Sequence, residues 1–224
     1  MSASLLQSKS GNGGGYVQSV DIAFESNNAV GSTIILAVAG AGDAPTPTIS
    51  DSQGNTYALI NTGVNDYVTG WFYYAENIDA GANTITIDFG ADYEDVSYCV
   101  YEYAGLETSS VLDKKAENLD SEYGTSHSTG TTATTSQADE LIVAMACGDS
   151  NSTWSLAGWD NELEANGNDI YQSLAMYSKV VSSVGTQSAS ISSSAAMKGY
   201  AAIATFKIAS VASPKRETNF FHFF

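Results

Sequence analysis

Two histidines, two cysteines, three prolines and eight lysines and arginines are all the chain has of those residue types in 224 positions. Each shortage removes a class of function. Two cysteines cannot build a disulfide framework or, alone, a zinc site. Cys99 and Cys147 each fall in an apolar stretch and read as small core residues, with a disulfide between them as the alternative. Eight basic side chains against 25 acidic ones leave a net charge of −17. A surface that acidic repels phosphate and argues against nucleic-acid binding. The histidines are His127, in a Ser/Thr-rich stretch, and His222, close to the end. Neither sits in a motif that joins a nucleophile to a base, which argues against a hydrolase triad. HExxH, GxSxG and phosphate-cradling glycine motifs are absent. The expectation is a non-enzymatic chain with no metal and no cofactor.

Long apolar runs are also missing. No stretch approaches the ~20 residues that span a bilayer, so no membrane insertion is expected. MSASLLQSKSGNGGG has neither the basic start nor the apolar run of a secretory signal. With Met1 as the natural start, this predicts synthesis in the cytoplasm.

What is present is strand pattern. In Thr84–Phe89, Ile85, Ile87 and Phe89 face one way while Thr84, Thr86 and Asp88 face the other, the period a half-buried sheet needs. Trp71 to Leu106 reads as three strands with turns between them, Ala80-Gly81-Ala82-Asn83 supplying one turn. Further strands are predicted at 16–24, 33–39, within 48–60, and at 141–147, 170–181, 188–191 and 200–208. Residues 1–15 read as a flexible N-terminal arm, with Leu5 and Leu6 able to dock on a neighbouring subunit. From Glu107 to Gln137 the pattern fades, apart from a short strand at Val111 to Asp113 and an extended edge near Thr125 to Ser136. Asp149 to Asn168 reads as a loop.

The halves resemble each other. NAVGSTIILAVAG (28–40) parallels QADELIVAMACG (137–148), Trp71 to Gly81 parallels Ser173 to Gly185, and Ser97 to Ala104 parallels Tyr200 to Lys207. Two similar antiparallel strand sets facing each other predict an all-β, jelly-roll-like β-sandwich over 16–209, with tandem small sandwiches as the alternative.

Few residues suggest chemistry. Glu102, in a strand beside tyrosines, reads as a hydrogen-bonded structural acid. Asp51-Ser52-Gln53-Gly54-Asn55 has the oxygens of a calcium loop but reads better as a tight turn. Trp154, Trp159 and Tyr171 lie in or beside an amide-rich loop, the composition of a glycan-binding surface, although tryptophans there also cover the end of a core. Phe220, Phe221, His222, Phe223 and Phe224 form an aromatic terminus that cannot rest exposed in water without making the protein sticky. Behind Pro214 and a polar connector, they read as the tip of a docking tail, 210–224, with packing against the chain's own sandwich as the alternative.

ISDSQGNTY (49–57), YYAENIDAGANTITI (73–87), YEYAGL (101–106), Leu112-Asp113 and ADELIVA (138–144) together resemble a β-sandwich module. It recurs in large bacterial extracellular proteins and in bacteriophage structural proteins. The resemblance implies a fold and no shared catalytic residues. Without a secretory signal, it favours a bacteriophage virion protein made in the host cytoplasm: a head, neck, tail or fibre component. Its expected partners are other virion proteins and further copies of itself. The alternative is a carbohydrate-binding or adhesion module at a cell surface or outside the cell, with a host-surface glycan as partner.

Overall fold

The structure is a computed structural model and describes residues 2–42, 44–93, 96–166 and 172–210. The described residues are all-β, with sixteen strands. The first eight are β1 (Ser4–Asn12), β2 (Val17–Ala23), β3 (Thr33–Ala41), β4 (Thr48–Asp51), β5 (Ala58–Val64), β6 (Val68–Ala75), β7 (Thr84–Tyr93) and β8 (Ser97–Ala104). The second eight are β9 (Leu112–Leu119), β10 (Gly124–Thr131), β11 (Asp139–Gly148), β12 (Trp154–Ser155), β13 (Asp160–Asn166), β14 (Ser173–Ser182), β15 (Ser188–Met197) and β16 (Gly199–Lys207).

The two sets repeat strand for strand. The first makes a five-stranded sheet, β1-β8-β3-β6-β5, and a three-stranded one, β2-β7-β4. The second makes β9-β16-β11-β14-β13 and β10-β15-β12. In each copy the first strand pairs with the eighth, the second with the seventh and the third with the sixth, all antiparallel. That is a rolled-up ribbon, the winding of a jelly roll. The two five-stranded sheets, one from each set, face each other across one core, the sandwich expected from the sequence, and each set adds a three-stranded sheet of its own. Each set is thereby also a three-on-five sandwich.

Residue alternation explains this stacking. In β3, Ile35, Ala37 and Ala39 enter the core between the five-stranded sheets, while Ile34, Leu36 and Val38 enter the core under the first three-stranded sheet. In β11, Leu141, Val143, Met145 and Cys147 face the shared core, while Ile142, Ala144 and Ala146 face the second three-stranded sheet. A strand covered on both faces needs an unbroken apolar run, which TIILAVA and LIVAMAC supply.

Tyr200 seals the junction. Its ring, from β16, lies so close on the backbones of Gly63 and Gly70 that a Cβ at either position would overlap it. Its hydroxyl donates to Glu117 Oε2 at 2.7 Å. Among the bonds that cross between copies are Tyr101 Oη to Met176 O at 2.7 Å, Tyr103 Oη with Ser178 Oγ at 2.6 Å, and Asn61 Nδ2 to Ala116 O at 3.0 Å. Cys99 and Cys147 are free thiols buried in this shared core. Burial pushes the Cys147 thiol up to about 12.

The segment read as a flexible arm is, over Ser4–Asn12, an edge strand paired with β8. The stretch read as the loop 149–168 holds β12 and β13. β1 and β9 have only one hydrogen-bonded neighbour each. Their sequences, SLLQSKSGN and LDKKAENL, are correspondingly polar. Polar edge strands resist edge-to-edge pairing with other chains.

Gly63→Ala and Gly70→Ala should each destabilise the protein by about 1–3 kcal/mol, since the methyl must displace the Tyr200 ring. Urea unfolding measures it. Unchanged midpoints in both variants would contradict this packing.

Candidate functional site

The internal repeat supplies its own control. Where the first copy lines its three-stranded sheet with hydrocarbon, the second places polar groups. Val20 pairs with Ile87 in the first ladder, and His127 with Ile191 in the second. Two residues further along β7 and β15, Phe89 is matched by Ser193. The amide of Gly13 donates to Val96 O at 2.8 Å, and that of Asp120 to Gly199 O at 2.9 Å. The first-copy set Gly13, Val20, Phe89 and Val96 thus becomes Asp120, His127, Ser193 and Gly199.

These four changes fit one another. In the first copy a Cβ on Gly13 would come within 2.9 Å of methyl groups of Val17 and Val20, which excludes an acid there. In the second copy Gly124 and His127 occupy those positions, and Asp120 meets the imidazole instead. His127 Nδ1 lies 2.6 Å from Asp120 Oδ2, and Nε2 lies 3.0 Å from Ser193 Oγ. A Cβ on Gly199 would sit 2.7 Å from Nδ1, so the valine of the first copy had to go. His127 is fully buried, and the Trp154 ring meets it edge-on with centroids 5.2 Å apart. Burying so polar a residue costs stability unless both ring nitrogens are bonded, and here both are.

The order Asp–His–Ser is that of a nucleophilic triad, an arrangement that no sequence motif signalled. Its surroundings are not those of an acyl-transfer site. Ser193 is only 7% exposed, and its hydroxyl donates to Ala195 O at 2.8 Å. The next two amides are both committed, Ser194 N to Thr153 O at 2.9 Å and Ala195 N to Ser152 Oγ at 3.1 Å. Neither is free to stabilise an oxyanion. The relay instead fixes the β9–β10 loop, residues 120–123, by its first residue.

That loop borders a cavity of about 380 Å³. Asn118, Asp120, Glu122, Tyr123 and Ser126 are among its walls. Asn118 Nδ2 donates to Asp120 Oδ1 at 3.0 Å. Tyr123 is 57% exposed and Tyr67, from the β5–β6 turn, is 45% exposed. Their ring centroids are 6.4 Å apart, and Lys198 Nζ lies 5.2 Å from Tyr67 and 5.6 Å from Tyr123. The Lys198 amide is held by Asp149 Oδ1 at 3.1 Å, and Tyr123 Oη reaches Asp149 Oδ2 at 3.4 Å.

The residues singled out in the sequence are distributed differently. Leu5 packs, partly buried, on the shared core of its own chain, so it is not an arm contact reaching for a neighbour. Leu6 points outward. Trp154 is 4% exposed and packs on His127, so it cannot be a glycan platform. Trp159 is half-buried, with Lys179 Nζ 4.4 Å from its ring centroid. Tyr171, Phe220, Phe221, His222, Phe223 and Phe224 lie outside the described residues.

Glu102 and Asp51 are structural acids. Glu102 is fully buried and accepts from Gln7 Nε2, Asn28 Nδ2, the Ala29 amide and Ser32 Oγ at 2.5–2.8 Å. Asp51 closes the 51–55 turn, accepting from the amides of Gln53 and Asn55 and from Asn55, Asn83 and Tyr57 side chains. Burial pushes its carboxyl up, but those bonds outweigh it and hold it below the usual range. Glu140 is buried with neither oxygen in a well-aligned hydrogen bond, although Thr205, Asp113 and Gln137 lie near enough to interact. Burial pushes its carboxyl up to about 7. No group of three or more metal-ligating side chains is found among the described residues.

Gly199→Val alone should cost about 1–3 kcal/mol through overpacking on His127. His127→Val alone should cost about 1–3 kcal/mol by removing the imidazole partner of Asp120 Oδ2 and Ser193 Oγ. Asp120→Gly, His127→Val and Gly199→Val together should cost less than the sum of the single changes, because the trio restores three of the four first-copy residues. Urea unfolding of the set measures the coupling, and simple additivity would contradict it. Comparison with known proteins adds no relative: no family model, no curated protein and no solved structure matches the chain.

Proposed function

We propose that the chain is a non-enzymatic bacteriophage virion protein, a rigid display body on a head, neck, tail or fibre, anchored through its aromatic C-terminal segment. The observation that carries this reading is the fusion of two jelly rolls through one continuous core. A body built this way has no hinge between its copies and presents loops at fixed separations. Two further features support it. Glu102, Asp51, Asp120 and His127 are committed to holding backbone and side chains. The motifs at 49–57, 73–87 and 101–106 resemble those of phage structural modules.

The anchor rests on sequence chemistry. Each phenylalanine among Phe220, Phe221, Phe223 and Phe224 would contribute about 1.5–3 kcal/mol when buried in a partner. The net charge of −17 keeps the displayed body soluble before assembly. Partners are other virion proteins and further copies of the chain in a symmetric oligomer.

An antibody against the recombinant chain should label phage particles released from the cell that carries the gene. Particles made with a chain lacking Phe220 to Phe224 should lose the label, while the isolated shortened chain keeps its unfolding temperature. Unlabelled wild-type particles contradict the virion reading, and full labelling with the shortened chain contradicts the anchor.

A further inference from the structure

We propose that Tyr67 and Tyr123, with the loop at 120–123, form a binding site for a neutral saccharide. The inference does not depend on the virion reading.

The internal repeat marks the place. In the first copy the loop between its first two strands is Gly13-Gly14-Gly15-Tyr16, and in the second it is Asp120-Ser121-Glu122-Tyr123. The tyrosine is common to both, while three glycines have become three hydrogen-bonding side chains. The same copy carries the buried relay that fixes Asp120, with His127 Nδ1 2.6 Å from its carboxylate. A loop held from beneath loses less freedom when a ligand arrives, and that raises affinity.

The chemistry of the surface selects the ligand. Tyr123, 57% exposed, lines a cavity of about 380 Å³, and Tyr67, 45% exposed, stands next to Tyr123 with ring centroids 6.4 Å apart. That volume is at the small end of the ~300–1,000 Å³ typical of ligand pockets. It suits a short saccharide, whose C–H faces stack on tyrosine and whose hydroxyls donate to Asp120, Glu122 and Asn118. Asp120 and Glu122 repel sialylated, sulfated or uronic sugars. A cationic ligand fits no better, because Lys198 Nζ already holds the position over both rings, at 5.2 and 5.6 Å.

The full chain is tested against an array of neutral hexoses, N-acetylhexosamines and their di- and trisaccharides, with sialylated and sulfated glycans alongside, and by calorimetry with the same neutral sugars at millimolar concentration. At least one neutral saccharide should bind, and Tyr67→Ala and Tyr123→Ala should each weaken it tenfold or more. Trp159→Ala should leave it unchanged. Both tyrosines are exposed, so the variants should keep the wild-type unfolding temperature, which is checked. The proposal is overturned if no neutral saccharide binds, if only anionic glycans bind, or if binding survives both tyrosine substitutions.

Discussion

Everything in this structure depends on the layer where the two five-stranded sheets meet. Neither sheet could face water there, because Ile35, Phe72, Tyr101, Val143, Met145 and Phe206 all point into it. The layer closes only because Gly63 and Gly70 have no side chains, which lets the Tyr200 ring lie against their backbone. A few polar bonds then set the lateral registry of the copies, among them Tyr103 to Ser178 and Asn61 to Ala116. Hydrophobic burial supplies the attraction and does not specify direction; the hydrogen bonds and the ring in its slot specify position.

Fusing two copies in this way frees one of them to change. The first copy keeps Val20, Ile22, Ile85, Ile87 and Phe89 beneath its three-stranded sheet. The second has His127, Thr129, Ala189, Ile191 and Ser193 there, with Trp154 filling the volume beside the histidine. A buried imidazole with an acid on one side and a hydroxyl on the other is tolerable only when all its partners are present. Asp120, His127 and Gly199 therefore make sense as a set and not one at a time. The result is a loop held in place from below, next to exposed aromatic rings, at an end where both copies contribute.

Much of the architecture could be read from the residues. TIILAVA and LIVAMAC announce strands covered on both faces, and the alternation in Thr84–Phe89 announces one covered on a single face. The likeness of the halves was visible too, though not that each half closes its own sandwich, since that depends on which strands pair. The polar edges β1 and β9 escape pattern reading because a strand with one neighbour and one wet face needs few apolar residues. Trp154 was legible as a tryptophan in an amide-rich stretch, but its burial follows from the pairing of β12 with β15. The relay was hidden because Asp120, His127 and Ser193 meet only through ladder register. Aligning the copies at Val20 and His127 would have exposed it, since a histidine matched to a core valine is a conflict that demands a partner.

Because the two jelly rolls share one core, they should unfold as one cooperative body. Differential scanning calorimetry of the full chain tests this. The shared core predicts a single transition whose calorimetric enthalpy equals its van't Hoff enthalpy. Two separable transitions, one for each copy, would contradict it.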